Sequence, residues 1–347
     1  MKRINFNFLR FKRGAMQAEG GDTELRACLE RYPELAVELV DPPYSIRFST
    51  VPQWHSWMGY SSDPHKLKGF GYDWERGIVT PCERPADHLL SFVKTREHKE
   101  WTCDLQDIMG LSCSKGPLEA RTSMQEFVEK DYRIGIREKS LALLQENLDH
   151  GEFRIRNQKD TSDHFARCAW DHNRLFLLNA GGSHHTAAAQ WLARELQQAV
   201  PLTGKLVEHE IDPGVVRALI DEYDMFIVRS LYPKLDFSDP PYPHNKAAQS
   251  MHDGLMSLKA TFLEHPLPRT YDKTLRIMFF PRDVEQSCQA ATVLREAGFY
   301  DFGVHLERLL QNQLDPVPMT VPQNPMQTVI PQDPVPVKAR SAMRRPG

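Results

Sequence analysis

Two adjacent histidines follow a pair of glycines near the middle of the chain, in the sequence GGSHHT. The glycines allow a tight turn that other residues resist. A turn of this kind that leads into a helix leaves backbone N–H groups unpaired at the helix N-terminus, and such groups bind anions. The sequence therefore predicts a loop that binds a phosphate or a nucleotide. Its predicted binding residues are Gly181, Gly182, Ser183, His184, His185 and Thr186.

Titratable side chains cluster shortly before this loop, between positions 163 and 172. A carboxylate, two histidines and an arginine in one short segment supply the groups that acid–base catalysis or charge stabilisation requires. We expect them to act on a ligand that the glycine loop holds, if the fold brings the two segments together. The candidate catalytic residues are Asp163, His164, Arg167 and His172.

The loop has two further interpretations. It is a plain strand-to-helix connection if the histidines only cap the helix and contact solvent. It is a metal site if Asp163, His164 or His172 folds beside the paired histidines, although the sequence identifies no metal. A nucleophilic Ser183 would need an orienting group and an oxyanion site, and neither is recognisable. The chain also lacks a G-x-S-x-G motif, a P-loop and a complete dinucleotide-binding fingerprint.

The composition is that of an ordinary globular protein. Of the 347 residues, 41% are hydrophobic and 26% are charged, and the formal net charge is -3. This charge gives no general electrostatic basis for nucleic-acid binding, and no apolar run is long enough to span a membrane. The six cysteines are scattered without a C-x-x-C pair, so free thiols and a cytoplasmic location are expected.

Residues 1–130 are predicted to form an N-terminal region of helices and loops. Helices are predicted at 23–40, 84–93 and 118–129. Between the first two, the segment from Tyr44 to Trp74 is rich in aromatic residues separated by glycine, proline and serine, which favours irregular structure with an aromatic core.

Residues 131–312 are predicted to form an α/β domain, and residues 313–347 a disordered, proline-rich tail. Alternating or continuous apolar residues predict strands, which are placed at 132–136, 153–155, 175–178, 205–211, 225–228 and 275–280. Apolar residues at helical spacing predict helices, which are placed at 138–150, 184–199, 215–223, 247–263, 284–297 and 304–310.

The order of these elements between Asp131 and Ile211 resembles the ParB/sulfiredoxin-like nucleotide-binding fold. The matching segments are LALLQENLDHG, EFRIR, RLFLLNA, GGSHH, TAAAQWLAREL and KLVEHEI. The resemblance implies an α/β (α+β) domain with a mixed sheet, in which the glycine loop and its paired basic residues cradle nucleotide phosphates.

Two departures from that family limit the chemistry. Ser183 occupies the position of the reactive cysteine of sulfiredoxins, and a hydroxyl cannot replace the thiolate in sulfinic-acid reduction. His185 stands where those loops carry an arginine, and ParB-type loops have an acidic residue before two arginines. Histidine is a weaker and pH-dependent phosphate partner, so affinity for an anion is expected to rise as the pH falls from about 8 to 6.

These observations support three functional hypotheses. The first is a protein that binds a nucleotide or a phosphorylated small molecule, with Mg²⁺ as a candidate companion, and that hydrolyses it or transfers its phosphoryl or nucleotidyl group. The alternative is a non-catalytic adaptor or regulatory module that binds a protein partner through Tyr44–Trp74 and the proline-rich tail. The third hypothesis is a DNA nuclease, which the net charge disfavours.

Overall fold

The computed structural model describes residues 22–60, 63–229 and 246–314. Its ten strands are β1 Lys66–Asp73, β2 Ile78–Pro85, β3 Val93–Asp104, β4 Ile108–Leu111, β5 His164–Cys168, β6 Leu175–Leu178, β7 Pro201–Ile211, β8 Tyr223–Arg229, β9 Phe262–Pro266 and β10 Leu275–Pro281. The α-helices of the described residues are α1 Thr23–Arg31, α2 Met124–Asp131, α3 Leu141–Leu148, α4 Arg154–Asn157, α5 Ser183–Glu195, α6 Pro213–Glu222, α7 Lys246–Ser257, α8 Glu285–Glu296 and α9 Phe302–Leu314. The fold is mixed α+β.

The chain divides into two compact units, each assembled from separated segments. Unit 1 comprises Met1–Val40, Met58–Leu90 and Gly214–Leu306, and unit 2 comprises Asp41–Trp57, Ser91–Pro213 and Glu307–Gly347. Each unit has its own five-stranded sheet among the described residues.

Unit 1 contains an antiparallel sheet in the order β2-β1-β9-β10-β8. Large apolar side chains of β8, β9 and β10, including Phe226, Phe262 and Phe280, form its core with residues of α1, α7 and α8. Strands β8 and β10 are apolar over most of their length, and helix α8 packs against both.

Unit 2 contains a mixed sheet in the order β3-β7-β5-β6-β4. Strand β5 is parallel to β7 and antiparallel to β6, and β4 is parallel to β6. Helix α5 packs against both α2 and α3. Its buried alanines, of which Ala188 also approaches Gly135, are small enough to let the neighbouring helices come close.

Several predicted elements are confirmed. The strand at 175–178 is β6, the helix that follows it is α5, and the strand at 205–211 is the second part of β7. The helix predicted at 138–150 is α3, with Ser140 as its N-cap. The elements predicted at 215–223, 225–228, 275–280, 284–297 and 304–310 correspond to α6, β8, β10, α8 and α9. Strong periodicity in the local sequence was sufficient at these places.

Other predictions were wrong in type or extent. The predicted strand at 132–136 contains the 3₁₀ helix Arg133–Ile136, and the strand at 153–155 is replaced by the single helical turn α4. Three alternating apolar residues fit a turn equally well when their side chains reach the core, as those of Phe153 and Ile155 do. The helix at 84–93 is replaced by the end of β2, a 3₁₀ turn and the start of β3.

Three further boundaries differ. The helix predicted at 23–40 ends at Arg31, just before Pro33, which removes a helical donor. The helix at 118–129 is a 3₁₀ turn at Leu118–Ala120 followed by α2. The helix at 247–263 ends at Ser257 because the chain then enters β9.

A long polar strand is one element that the sequence did not predict. The 12-residue strand β3 is exposed along most of its length, so it carries no apolar alternation. Its charged side chains pair instead with those of β7, as in Arg96 with Glu210 and His98 with Glu208. Cross-strand pairs of this kind stabilise a sheet only after the partner strand is in place.

The aromatic-rich segment is less irregular than predicted, because β1 lies within Tyr44–Trp74. The core role expected of its aromatics is confirmed for Trp54 and Trp57, which are almost fully buried, whereas Trp74 is exposed. Within the described ranges, no helix has the length and apolar character that crossing a membrane requires. The predicted tail lies outside the described residues from position 315 onward.

A buried amide in α5 gives a test of unit 2. Gln190 is 3% exposed, and its Nε2 donates to the carbonyl oxygens of Leu105 at 3.0 Å and Ile108 at 2.6 Å. We expect Gln190→Leu to lower the free energy of unfolding by roughly 2–3 kcal/mol, because both carbonyls lose a buried donor. Urea denaturation of the full chain measures this. The matched control is Gln125→Leu on the exposed side of α2, and equal effects of both variants would contradict the assignment.

Candidate functional site

A cleft of about 440 Å³ lies in unit 2, where the loop between β6 and α5 faces the segment that follows β4. Residues 180–185 form one wall and residues 113–115 another, and Tyr132, His150 and Glu152 complete the lining. A volume of this size is typical of small-molecule sites. The glycine loop predicted from the sequence therefore lies at a concave surface.

The backbone of the loop requires glycine at position 182. Gly182 is the N-cap residue of α5 and has a positive φ of 73°, a conformation that other residues rarely adopt. A Cβ atom at this position would overlap the backbone carbonyl of Glu152. The loop can approach Glu152 so closely only because it lacks a side chain there.

The N-terminus of α5 presents backbone donors to the cleft. Its first hydrogen bond runs from the N–H of Thr186 to the carbonyl of Gly182, at 2.8 Å. The three preceding N–H groups, of residues 183–185, therefore have no acceptor within the helix. Among the described residues, no side chain caps this end of α5. The helix N-terminus that the sequence predicted after the glycines is present, and its first N–H groups have no acceptor within the helix.

Two buried polar side chains hold the loop in place. The carboxylate of Asp163 accepts a hydrogen bond from the N–H of Ala180 at 2.8 Å, and burial raises the pKa of this carboxyl group. Asn179 donates to the carbonyl of Gly181 at 2.8 Å, and its side-chain oxygen accepts from the N–H of Ser112 at 3.2 Å. The loop is thereby fixed to the end of β4.

Two serine hydroxyls meet across the cleft wall. Ser183 Oγ donates to Ser114 Oγ at 2.9 Å, and the same oxygen of Ser114 accepts from the N–H of Gly116 at 2.9 Å. The Ser114 hydroxyl keeps its own proton for another acceptor, such as a ligand oxygen. Thr186, predicted as a phosphate donor, is fully buried and donates back to the Gly182 carbonyl at 3.0 Å.

Hydrogen bonding fixes the tautomer of His185. The side-chain nitrogen of Asn147 donates to the carbonyls of Gly135 at 3.1 Å and Leu143 at 2.9 Å, so its Oδ1 is an acceptor. His185 Nδ1 lies 3.1 Å from that oxygen and must carry the proton. His185 Nε2 is therefore an acceptor, and the hydroxyl group of Tyr132 donates a long hydrogen bond of 3.5 Å to it.

His150 stacks on His185 and has the opposite tautomer. The two rings are nearly parallel, at 13°, with centroids 3.5 Å apart. The N–H of Glu152 donates to His150 Nδ1 at 3.3 Å, which leaves the proton on His150 Nε2. The pair thus combines one nitrogen acceptor and one nitrogen donor, and both residues line the cleft.

The histidines of the loop are poor carriers of positive charge. Burial lowers the pKa of His185 to about 4, with further contributions from His150 and His184. Burial also lowers the pKa of His184, which stacks on Phe127, although Asp131 opposes this shift. The sequence predicted that affinity for an anion would rise as the pH falls from about 8 to 6, because the histidines would become protonated. His185 does not gain a proton in that range, so this reason is wrong for His185.

Positive charge at the cleft comes from residues that the sequence did not single out. Lys115 is an exposed part of the lining and acts electrostatically on His184. The guanidinium of Arg154 lies beside Gly181 and pairs with Glu152 at 2.9 Å. Both residues are distant from the loop in sequence, and no local pattern marks them.

The predicted catalytic residues do not converge on the loop. Strand β5 is antiparallel to β6, with His164 opposite Leu178 at the loop end and Arg167 opposite Leu175 three residues away. Arg167 pairs with Glu208 at 3.3 Å, and His164 Nδ1 lies 2.9 Å from the carbonyl of Ser162. Of this group, Asp163 is the residue that hydrogen-bonds Ala180, directly before the glycine loop.

His172 is placed in the turn that connects β5 with β6. It has a left-handed backbone conformation with a φ of 53°, at the end of the sheet opposite to the loop. For the metal interpretation, a group of three or more side chains that could hold an ion is absent from the described ranges.

The depressed pKa of His185 predicts a specific loss of stability in acid. Unfolded chains protonate histidine below its ordinary value of 6.5, whereas folded His185 protonates only near 4. The contribution of neutral His185 to the free energy of unfolding is therefore fully present above pH 6.5 and is lost as the pH falls toward 4. We expect the Cε1 proton of His185 to titrate in NMR spectra with a midpoint near 4. We also expect His185→Phe to lose less stability than the wild type between pH 6.5 and 4. A midpoint at or above 6.5 would contradict this environment.

The close approach at Gly182 predicts a strong effect of one methyl group. We expect Gly182→Ala to destabilise the protein by about 1–3 kcal/mol, because alanine is strained at this φ and its Cβ overlaps the Glu152 carbonyl. Thermal denaturation measures the change. Gly151→Ala is the matched control, since a Cβ there has no neighbour within 4 Å. Equal melting temperatures of the two variants would show that the loop is adaptable.

Comparisons with known proteins place the chain in a family. Searches of curated proteins and of solved structures found no match. A family model described as a family of unknown function, DUF6685, matches residues 98–318. The match includes β4, α3, α5 and every residue that lines the cleft. Because it spans more than half of the 347 residues, the chain belongs to the DUF6685 family.

Proposed function

We propose that unit 2 binds a phosphorylated small molecule of the nucleotide class, with its phosphate at the N-terminus of α5. The observation that carries the proposal is the left-handed Gly182, which begins α5 at a cleft of ligand size, where residues 183–185 line the cleft and their N–H groups have no acceptor within the helix. Backbone donors at a helix N-terminus and the positive end of the helix dipole both favour an anion.

Side chains of the opposite wall support the same assignment. The Ser114 hydroxyl is oriented by two hydrogen bonds that it accepts, and Lys115 brings a positive charge to the cleft. Charged and neutral donors together complement phosphate oxygens. Since His184 and His185 have lowered pKa values, Lys115 and the backbone supply the electrostatic attraction that the sequence attributed to the histidines.

Ligand binding is preferred over the adaptor hypothesis because the histidines line a concave surface rather than a protruding one. As part of this proposal, the segment of strand, glycine loop and helix is related to the ParB/sulfiredoxin-like fold. A hydrolytic or transfer reaction is a further prediction, and it would need other groups than Arg167 and His172, which lie away from the loop.

Calorimetry with the full chain tests the proposal. We expect inorganic phosphate, ADP and ATP to bind in titrations with and without Mg²⁺. We expect Lys115→Met to weaken binding roughly tenfold, because it removes one charge-assisted contact. Lys159→Met replaces an exposed lysine outside the cleft lining and should leave affinity unchanged. Absence of binding to the wild-type protein at millimolar ligand would refute the proposal.

A further inference from the structure

The stacked histidine pair is built for a neutral polar group rather than for a phosphate. His185 Nε2 is an acceptor, because Asn147 Oδ1 holds the proton on Nδ1. Its donor within the protein is the Tyr132 hydroxyl at 3.5 Å, a long and weak hydrogen bond that a closer ligand hydroxyl replaces. A lone pair repels the oxygens of an anion and accepts a hydrogen bond from a hydroxyl. His150, which stacks at 3.5 Å, carries its proton on Nε2 and can donate to an oxygen of the same group.

Asn147 holds this arrangement rigidly. Its side chain is 2% exposed, and both of its amide hydrogens are engaged by the carbonyls of Gly135 and Leu143. Reversing the amide would place its oxygen against two carbonyl oxygens, so Oδ1 can only face His185. Asn147 is thus a positioning residue, which acts on a ligand through the tautomer of His185.

The chemistry also argues against a role for His185 as a strong base. A general base works best when its pKa is close to the operating pH, and that of His185 is lowered to about 4. At neutral pH the ring is uncharged and weakly basic. Its remaining capacity is to accept one hydrogen bond at a fixed place in the cleft.

We propose that the His150–His185 pair recognises a sugar hydroxyl, so that the ligand of this cleft is a sugar phosphate, as in the ribose phosphate of a nucleotide. The inference rests on the proposed function, which places the phosphate at the N-terminus of α5. The inference adds that a phosphate group alone occupies only part of the cleft. The two histidines would select for a sugar as the group that carries the phosphate.

A first experiment needs neither a variant nor a ligand. Nitrogen-15 NMR of the wild-type protein with labelled histidine distinguishes protonated from unprotonated ring nitrogens. At pH 7 we expect His185 to carry its proton on Nδ1 and His150 to carry its proton on Nε2. A proton on His185 Nε2 would overturn the inference and leave the proposed phosphate site untouched.

A second experiment compares two phosphate monoesters by calorimetry. Methyl phosphate has no hydroxyl group apart from the phosphate, and ribose 5-phosphate has several. We expect ribose 5-phosphate to bind the wild-type protein at least tenfold more tightly. His185→Phe keeps an aromatic ring on His150 but has no acceptor, so it should remove this preference and bind the two esters with equal affinity. His150→Phe should reduce the preference as well, and it provides the test if His185→Phe does not fold.

The matched control is His55→Phe. His55 belongs to another stacked pair of unit 2, with His209 at 4.3 Å, and it does not line the cleft. Its substitution should leave both affinities unchanged. Equal binding of the two esters to the wild-type protein would overturn the inference while the phosphate site stands. Failure of both esters to bind would overturn the proposed function together with it.

Discussion

The contact between the backbone of Gly182 and the carbonyl of Glu152 is the constraint on which the candidate site depends. No side chain fits between the two segments, and the positive φ of Gly182 turns the chain directly from β6 into α5. This turn begins α5 at the cleft and places His184 and His185, which line it, on the first turn of the helix. It also brings Glu152, and with it His150, against the loop.

Helix α5 transmits this constraint to the rest of unit 2. Half of its buried residues are alanines, which lets α2 and α3 approach it closely. The end of α3 then carries Asn147 to hydrogen-bonding distance of His185, and the turn after α3 stacks His150 on the same ring. A larger residue at the α5 interface would separate these partners, because close-packed interiors do not absorb extra volume.

The sheet explains why one group of predicted residues has no part in the cleft. Antiparallel pairing of β5 with β6 sends Arg167 and His172 away from the loop, although all three are close in sequence. Asp163 is at the loop end, and there its carboxylate is used to hold the N–H of Ala180. Because these residues are close in sequence, they were predicted to form a catalytic cluster. In the sheet, the contact they provide near the loop is the structural hydrogen bond between Asp163 and Ala180.

The sequence by itself determined the local unit of strand, glycine turn and helix, since its apolar runs, its two glycines and its alanine-rich periodicity depend only on neighbours within about one or two turns. It also determined most helices with a clear apolar stripe. It did not determine the polar strand β3, because cross-strand ion pairs exist only once β7 is adjacent. Nor did it indicate Ser114, Lys115 or His150 as parts of the site, since they reach the loop through packing of distant segments. The protonation of His185 was decided by tertiary structure alone, because it follows from burial and from an asparagine whose own orientation is set by two backbone carbonyls.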